Sequence, residues 1–214
     1  ITISAEQTAL AESWRELPGL SDRPIWVAAS THQGEDEFML AAHALLLRRL
    51  PHALLILVPR HPERFQGVAE LIEATGLCFV RRSTQAPVQA ETVVWLGDSM
   101  GELMSWLALA QAAFVGGSLV PRGGHNALEP LALGVPALTG PHDFNFASIN
   151  AELITAGALQ TVQDATELAD SLYALMTDVA LAQARRESGQ RVIMANQGAV
   201  ARQLALLMPL LSSA

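Results

Sequence analysis

The chain contains no lysine; all thirteen of its basic residues are arginine. That absence excludes a phosphate-binding loop ending in Gly-Lys-Ser/Thr, Schiff-base chemistry on a lysine amine, and protein-kinase catalysis. Any anion held here must be met by arginine, histidine, backbone N–H groups or helix ends. Cysteine is nearly as scarce. The single Cys78 leaves no disulfide framework, and its apolar run Leu77-Cys78-Phe79-Val80 predicts a small buried side chain in a reducing compartment. No His-Glu-x-x-His and no second cysteine occur, so metal spacing is lacking. Gly-x-Ser-x-Gly is missing too, which removes a nucleophile elbow, and no Gly-x-Gly-x-x-Gly dinucleotide fingerprint follows the first strand. No apolar stretch is long enough to span a bilayer; the tail from Gln203 to Leu211 is short and broken by Pro209. No signal peptide is visible. Net charge is −8 with the acids dispersed, which argues against a nucleic-acid surface.

What is present is 214 residues, half of them apolar, enough for one large domain or a domain and a half. The sequence begins at Ile1, directly on a helical pattern, and reads as a piece of a longer protein. Ser4 with Gln7 three residues on forms a capping box for a helix to about Leu17. Strands are expected at Pro24–Ala29, Ala53–Val58, Leu77–Val80, Thr92–Leu96, Ala113–Val115, Val135–Thr139 and Leu159–Val162. Helices are expected between them, over Glu35–Leu50, Glu63–Thr75, Met100–Ala110 and Phe144–Ala156. Further helices follow at Ala165–Thr177, Val179–Asn196 and Ala199–Leu207. Strands and helices alternating at this spacing predict an α/β fold: a Rossmann-like parallel sheet with helices on both faces, in one domain spanning residues 1–214.

In such a sheet ligands bind at the carboxyl ends of the strands. The loops there are Ser30–Gly34, Pro59–Pro62, Gly97–Ser99, Gly116–Gly124 and Gly140–Asp143. His32, His61, His125 and His142, with Arg60 and Arg122, lie in or beside them. The richest element is the run Phe114-Val-Gly-Gly-Ser-Leu-Val-Pro-Arg-Gly-Gly-His-Asn-Ala-Leu-Glu-Pro, followed by Gly134-Val-Pro. Its glycine pairs let backbone N–H groups approach an anion closely. Asn126 and Glu129 add the donors and acceptors that read sugar hydroxyls, and Pro130 implies that their helix starts late.

Each feature also has a plainer reading. The glycine pairs can simply make tight turns, Arg60 can be a solvated surface arginine, and Arg122 is equally ambiguous. Met100-Gly101-Glu102 reads either as backbone facing a base edge or as an ordinary helix start capped by Asp98 or Ser99. Glu35, Asp36 and Glu37 are expected to do no more than favour a helix dipole. His43 and His52 are expected to be structural or exposed. The residues alone are compatible with other two-domain nucleotide-sugar glycosyltransferases, with a nucleotide-sugar epimerase, or with a non-catalytic nucleotide-binding module.

Four blocks narrow the choice. The glycine-rich run, Ala29-Ser-Thr-His32 with Gly34-Glu35, Val58-Pro-Arg-His-Pro-Glu-Arg-Phe65, and Gly97-Asp-Ser-Met-Gly-Glu102 closely resemble the signatures of the Kdo (3-deoxy-D-manno-octulosonic acid) transferases of lipopolysaccharide synthesis. The resemblance implies one half of a GT-B type glycosyltransferase, the C-terminal half that binds the donor CMP-Kdo, with no metal or other cofactor required. It carries cytidine-nucleotide contacts onto Pro59, Arg60, Met100, Gly101, Glu102, Asn126, Ala127, Leu128 and Glu129. Ser30, His32, His61, Ser118, Gly123, Gly124 and His125 are further candidates for donor or phosphate contact. The family's catalytic base belongs to the N-terminal domain, so no catalytic residue is expected here. The acceptor, a lipid A precursor, and contact with the cytoplasmic face of the inner membrane are implied through that missing domain; the fragment itself is expected to be soluble, without nucleic-acid partners.

Overall fold

A computed structural model describes residues 2–196, so the helix expected at Ala199–Leu207 lies outside the described residues. The capping box forms: Ser4 Oγ accepts from Gln7 N–H at 3.1 Å and Gln7 Oε1 accepts from Ser4 N–H at 3.1 Å, opening α1 (Ala5–Arg15). Seven strands follow: β1 (Ile25–Thr31), β2 (Leu54–Pro59), β3 (Phe79–Arg81), β4 (Val94–Leu96), β5 (Ala112–Val115), β6 (Ala137–Thr139) and β7 (Leu159–Thr161). They form one parallel sheet in the order β3-β4-β2-β1-β5-β6-β7. The helices between them are α2 (Asp36–Leu47), α3 (Phe65–Thr75), α4 (Leu103–Leu109), α5 (Leu128–Ala132), α6 (Ala147–Thr155), α7 (Ala165–Thr177) and α8 (Val179–Asn196).

The central strands are apolar until β1 reaches Ser30 and Thr31, because both faces are covered. Trp26 and Ala28 of β1 and Leu55 and Leu57 of β2 pack under α2, α3 and α7. The alternate residues Ile25, Val27, Ala29, Leu54 and Ile56 pack under α1 and α4. There Trp14 stacks on Trp106 at 3.9 Å and Trp95 meets Trp106 edge-on at 4.5 Å, fastening α1 to the sheet. On the other face Trp26 Nε1–H donates to His43 Nδ1 at 3.1 Å, and His43 Nε2–H donates to the Val93 carbonyl at 2.8 Å. His43 is therefore structural, and burial pushes its pKa down to about 4.

From β1 the chain adds β2 on one side and, after β4, crosses to place β5 on the other. The carboxyl ends of β1 and β5 thus flank the switch point, where a crevice opens in such sheets. Ser30 sits there in the left-handed region, φ 57°, and shifts the β1 register between Ala29 and Thr31.

Some expectations are corrected. Cys78 is exposed, because it flanks β3 at the open edge of the sheet. The segment expected to open α4 at Met100 is a turn with Gly101 at φ 80°, and the helix begins at Leu103. Asp98 caps nothing there; its carboxylate instead accepts from Arg81 Nε–H at 2.7 Å and from Ser83 N–H at 2.8 Å. Likewise α2 begins at Asp36, α6 at Ala147, and a short 3-10 turn at Pro62–Arg64 precedes α3.

Candidate functional site

At the carboxyl rim of the sheet, β2 ends in Pro59 and Arg60, β1 in His32, and β5 in the glycine-rich loop. Arg60 is exposed, with its backbone N–H fixed on the Thr31 carbonyl at 3.0 Å. Below it Arg64 anchors the same loop by donating to the Thr31 carbonyl at 2.7 Å and pairing with the buried Asp36 carboxylate. Thr31 Oγ1 donates to Asp36 at 2.6 Å. Burial raises the Asp36 pKa, while Thr31 and Arg64 oppose that rise.

Three imidazoles gather beside Arg60. His32 Nε2 and His125 Nε2 lie 2.8 Å apart with rings at 13°, and His61 meets His32 edge-on at 5.2 Å between centroids. Burial lowers the pKa of both His32 and His125, that of His125 to about 4. The charges of His32, Arg60 and His61 add to the effect on His125, so this rim is already crowded with positive potential. Glu129 is half-buried on the same rim; burial raises its pKa and nearby Arg60 lowers it.

The second glycine pair supplies the backbone of the site. Gly123 and Gly124 both take positive φ, 91° and 75°. The Gly124 N–H is spent on the Gly117 carbonyl at 2.8 Å, and Asn126 Oδ1 accepts from Leu128 N–H at 3.1 Å. Among the described residues, the amides of Gly123, His125, Asn126 and Ala127 have no internal acceptor. The helix carrying Glu129 does start late, at Leu128, which puts Pro130 in a first turn that needs no N–H of its own.

The first glycine turn behaves differently. Gly117, Ser118 and Leu119 all donate their N–H groups to Glu35, at 2.7, 3.0 and 2.9 Å. Ser118 is fully buried, and its hydroxyl donates to Val115 O at 2.6 Å while accepting from Gly140 N–H at 2.8 Å. Ser118 is therefore not a ligand contact, and the Gly116–Gly117 turn is not an open anion cradle. Sequence reasoning missed Glu35, since nothing local distinguishes it from an acid that merely suits a helix dipole. It is fully buried.

Met100 and Gly101 are exposed at the end of β4, next to β2. The Glu102 carboxylate is held by Arg82 at 2.9 and 3.1 Å and by the Ser99 hydroxyl. What this turn can offer a ligand is Met100 and backbone. The rim as a whole is open: Arg60, His61, Met100 and Gly101 face solvent. A separate concavity between α6, β7 and α8, lined by Gly157, Gln160 and Arg185, lies at the far end of the sheet from these loops. It collects none of the rim's histidines. Among the described residues, no group of three or more His, Cys, Asp or Glu is arranged to hold a metal ion, and no helix is long and apolar enough to cross a membrane.

No family model matches the chain. It is 49% identical, over 89% of its length, to 45% of a 3-deoxy-D-manno-octulosonic acid transferase of Haemophilus influenzae. The chain thus spans about half the length of the curated relatives it matches. Among solved structures it is similar to the C-terminal CMP-Kdo binding domain of WaaA from Acinetobacter baumannii, at 38% identity and a TM-score of 0.85, covering 89% of this chain and 99% of that one. It also matches 47% of WaaG, a glycosyltransferase involved in lipopolysaccharide biosynthesis, at 16% identity and a TM-score of 0.53, a likeness of fold alone. The architecture is that of one half of a GT-B glycosyltransferase.

Proposed function

We propose, from the premise that this chain belongs to the 3-deoxy-D-manno-octulosonic acid transferase family, that it is the half of such an enzyme that binds the activated donor, CMP-Kdo. The observation that carries this is the convergence on one rim of Arg60, three imidazoles, free loop amides and the half-buried Glu129. Each part suits one piece of a nucleotide-activated sugar. Arg60 and the amides of Gly123 and His125–Ala127 meet the phosphate. Glu129 accepts from the ribose diol, while Met100 and the backbone of Gly101 and Glu102 meet the cytosine ring.

The chemistry follows from that placement. In a direct displacement the acceptor hydroxyl oxygen bonds to the anomeric carbon of the sugar, and the bond from that carbon to the phosphate oxygen breaks. Negative charge grows on the departing CMP, where a guanidinium and preorganised N–H groups stabilise it without rearranging. The proton of the acceptor hydroxyl must leave on the opposite side of the sugar, so its base belongs to another domain. The reading requires no metal. A lipid A precursor as acceptor, and work at the cytoplasmic face of the inner membrane, belong to the whole enzyme and enter through that other half.

Calorimetric titration of the chain with CMP, UMP and AMP tests the donor assignment. CMP alone is expected to bind. Equal binding of UMP, or no binding of CMP, would overturn it.

A further inference from the structure

Glu35 is a fully buried carboxylate with four backbone partners and, among the described residues, no side-chain cation. Its Oε2 accepts from His32 N–H at 2.9 Å and Gly117 N–H at 2.7 Å; its Oε1 accepts from Ser118 N–H at 3.0 Å and Leu119 N–H at 2.9 Å. Gly117, at φ 71°, turns the chain so that consecutive N–H groups point the same way, the geometry by which loops hold phosphates. Here that cradle is already filled from within. It sits at the switch point between β1 and β5, where a ligand would otherwise enter.

The fastened turn in turn carries the second loop, whose amides other than that of Gly124 lack an internal acceptor among the described residues. The Gly117 carbonyl accepts from Gly124 N–H at 2.8 Å, and the Ser118 carbonyl accepts from His142 N–H at 2.9 Å. The Gly123 carbonyl accepts from Asn145 N–H at 3.0 Å. On the other side, Glu35 fixes the N–H of His32, whose ring reaches His125. The neighbouring acid, Asp36, holds the Arg60 loop through Arg64. Two adjacent acids at the start of α2 therefore set the spacing between the arginine side and the glycine side of the rim.

We propose that Glu35 is the positioning residue of the donor site: its carboxylate is a built-in anion that shapes the first glycine turn, leaving the second loop, Gly123–Ala127, to receive the donor's phosphate. This rests on the donor-binding reading above. Charge and acceptor count, rather than bulk, do the positioning. Each carboxylate oxygen takes two N–H groups, so an amide in its place sets its NH2 against two backbone donors in either orientation.

The test compares Glu35→Gln and Glu35→Ala with the unaltered chain, using calorimetry with CMP and backbone amide resonances under CMP or inorganic phosphate. In the unaltered chain CMP is expected to move the Gly123–Ala127 amides and to leave Gly117, Ser118 and Leu119 unmoved. In Glu35→Gln, CMP affinity is expected to fall by about tenfold, equivalent to about 1.4 kcal/mol. In Glu35→Ala, which empties the cradle, the Gly117–Leu119 amides should respond to inorganic phosphate, which loss of packing alone would not cause. A Glu35→Gln affinity within about twofold of the unaltered chain, or Gly117–Leu119 amides that respond most strongly to CMP before any substitution, overturns the proposal. If the variants do not fold, the unaltered chain decides by that resonance pattern. If the unaltered chain does not bind CMP, the donor reading fails first. Amide exchange then judges Glu35 separately: slower exchange at Gly117–Leu119 than at Gly123 and His125 supports the clamp, and equal rates overturn it.

Discussion

His32 and His125 face each other through their Nε2 atoms at 2.8 Å, although 93 residues separate them in the chain. One nitrogen must donate and the other accept, so the contact holds a single proton. Protonating both rings would set two cations in hydrogen-bond range beside Arg60. The pair therefore ties the loop after β1 to the glycine-rich loop after β5 as long as one of the two rings stays neutral.

Acid should weaken this fold in a defined window. An unfolded histidine titrates near 6.5, whereas His43 and His125 titrate at about 4 in the folded chain. Between these values the unfolded chain binds more protons, so stability is full above pH 6.5 and is lost as the pH falls toward 4. His43 alone should account for about 2 kcal/mol lost at pH 5. His125, closer to solvent, contributes less. Denaturant midpoints at pH 7 and pH 5 measure the loss, and His43→Asn should flatten it; identical slopes in the two chains would contradict a neutral buried His43.

Arg60→Ala should leave thermal stability unchanged, because the side chain is exposed and makes no internal hydrogen bond among the described residues. CMP binding should weaken by about 1.5–3 kcal/mol, the range for a charge-assisted hydrogen bond. Calorimetry beside a melting curve separates the two effects.

Glu129→Ala should weaken CMP binding by about 1–3 kcal/mol if the carboxylate accepts from buried ribose hydroxyls. The informative comparison is with a nucleotide lacking both ribose hydroxyls. The unaltered chain should prefer CMP over it; the variant should bind the two alike.

Arg64→Ala strands the Asp36 carboxylate, 1% exposed, without its cation. Breaking a buried pair from one side costs about 3–5 kcal/mol. Adding Asp36→Asn should recover part of the lost stability. Further loss in the double variant would show that the charge on Asp36 is not what Arg64 offsets.

Gly116→Ala should destabilise the chain by about 1–3 kcal/mol through overpacking. A Cβ there would lie 2.5 Å from the Ser30 carbonyl oxygen, and backbone on both sides prevents it from yielding. Retained stability, read from chemical denaturation, would mean that β1 and β5 can separate at their ends.

The sheet was legible because parallel strands buried on both faces leave unbroken apolar runs, as in Leu54–Val58, while Ser4/Gln7 and the left-handed Gly76 mark helix ends chemically. The rim loops followed from strand ends, and Pro130 announced the late start of α5. What local sequence could not carry was partnership at a distance. Glu35 resembles any first-turn acid until β1 and β5 are known to be neighbours, which places amides 82 to 84 residues away around it. The same ignorance misjudged Ser118, whose glycine setting suggests openness but whose neighbours β1 and β6 enclose it. Cys78 was misjudged for the opposite reason, since an apolar tetrapeptide does not reveal that its strand is the last in the row.

The segment ahead of the first strand looks dispensable, since the sheet is complete without it. Yet Gln7 donates through Nε2 to the Gly101 carbonyl at 3.1 Å and receives the Ser105 hydroxyl on its own carbonyl at 2.9 Å, while Trp14 roofs Trp106. Shortening the polypeptide to start at Ile25 would strip the brace from the bend that presents Met100 and bare two indoles to water. The opening helix thus acts as a remote buttress for one wall of the rim.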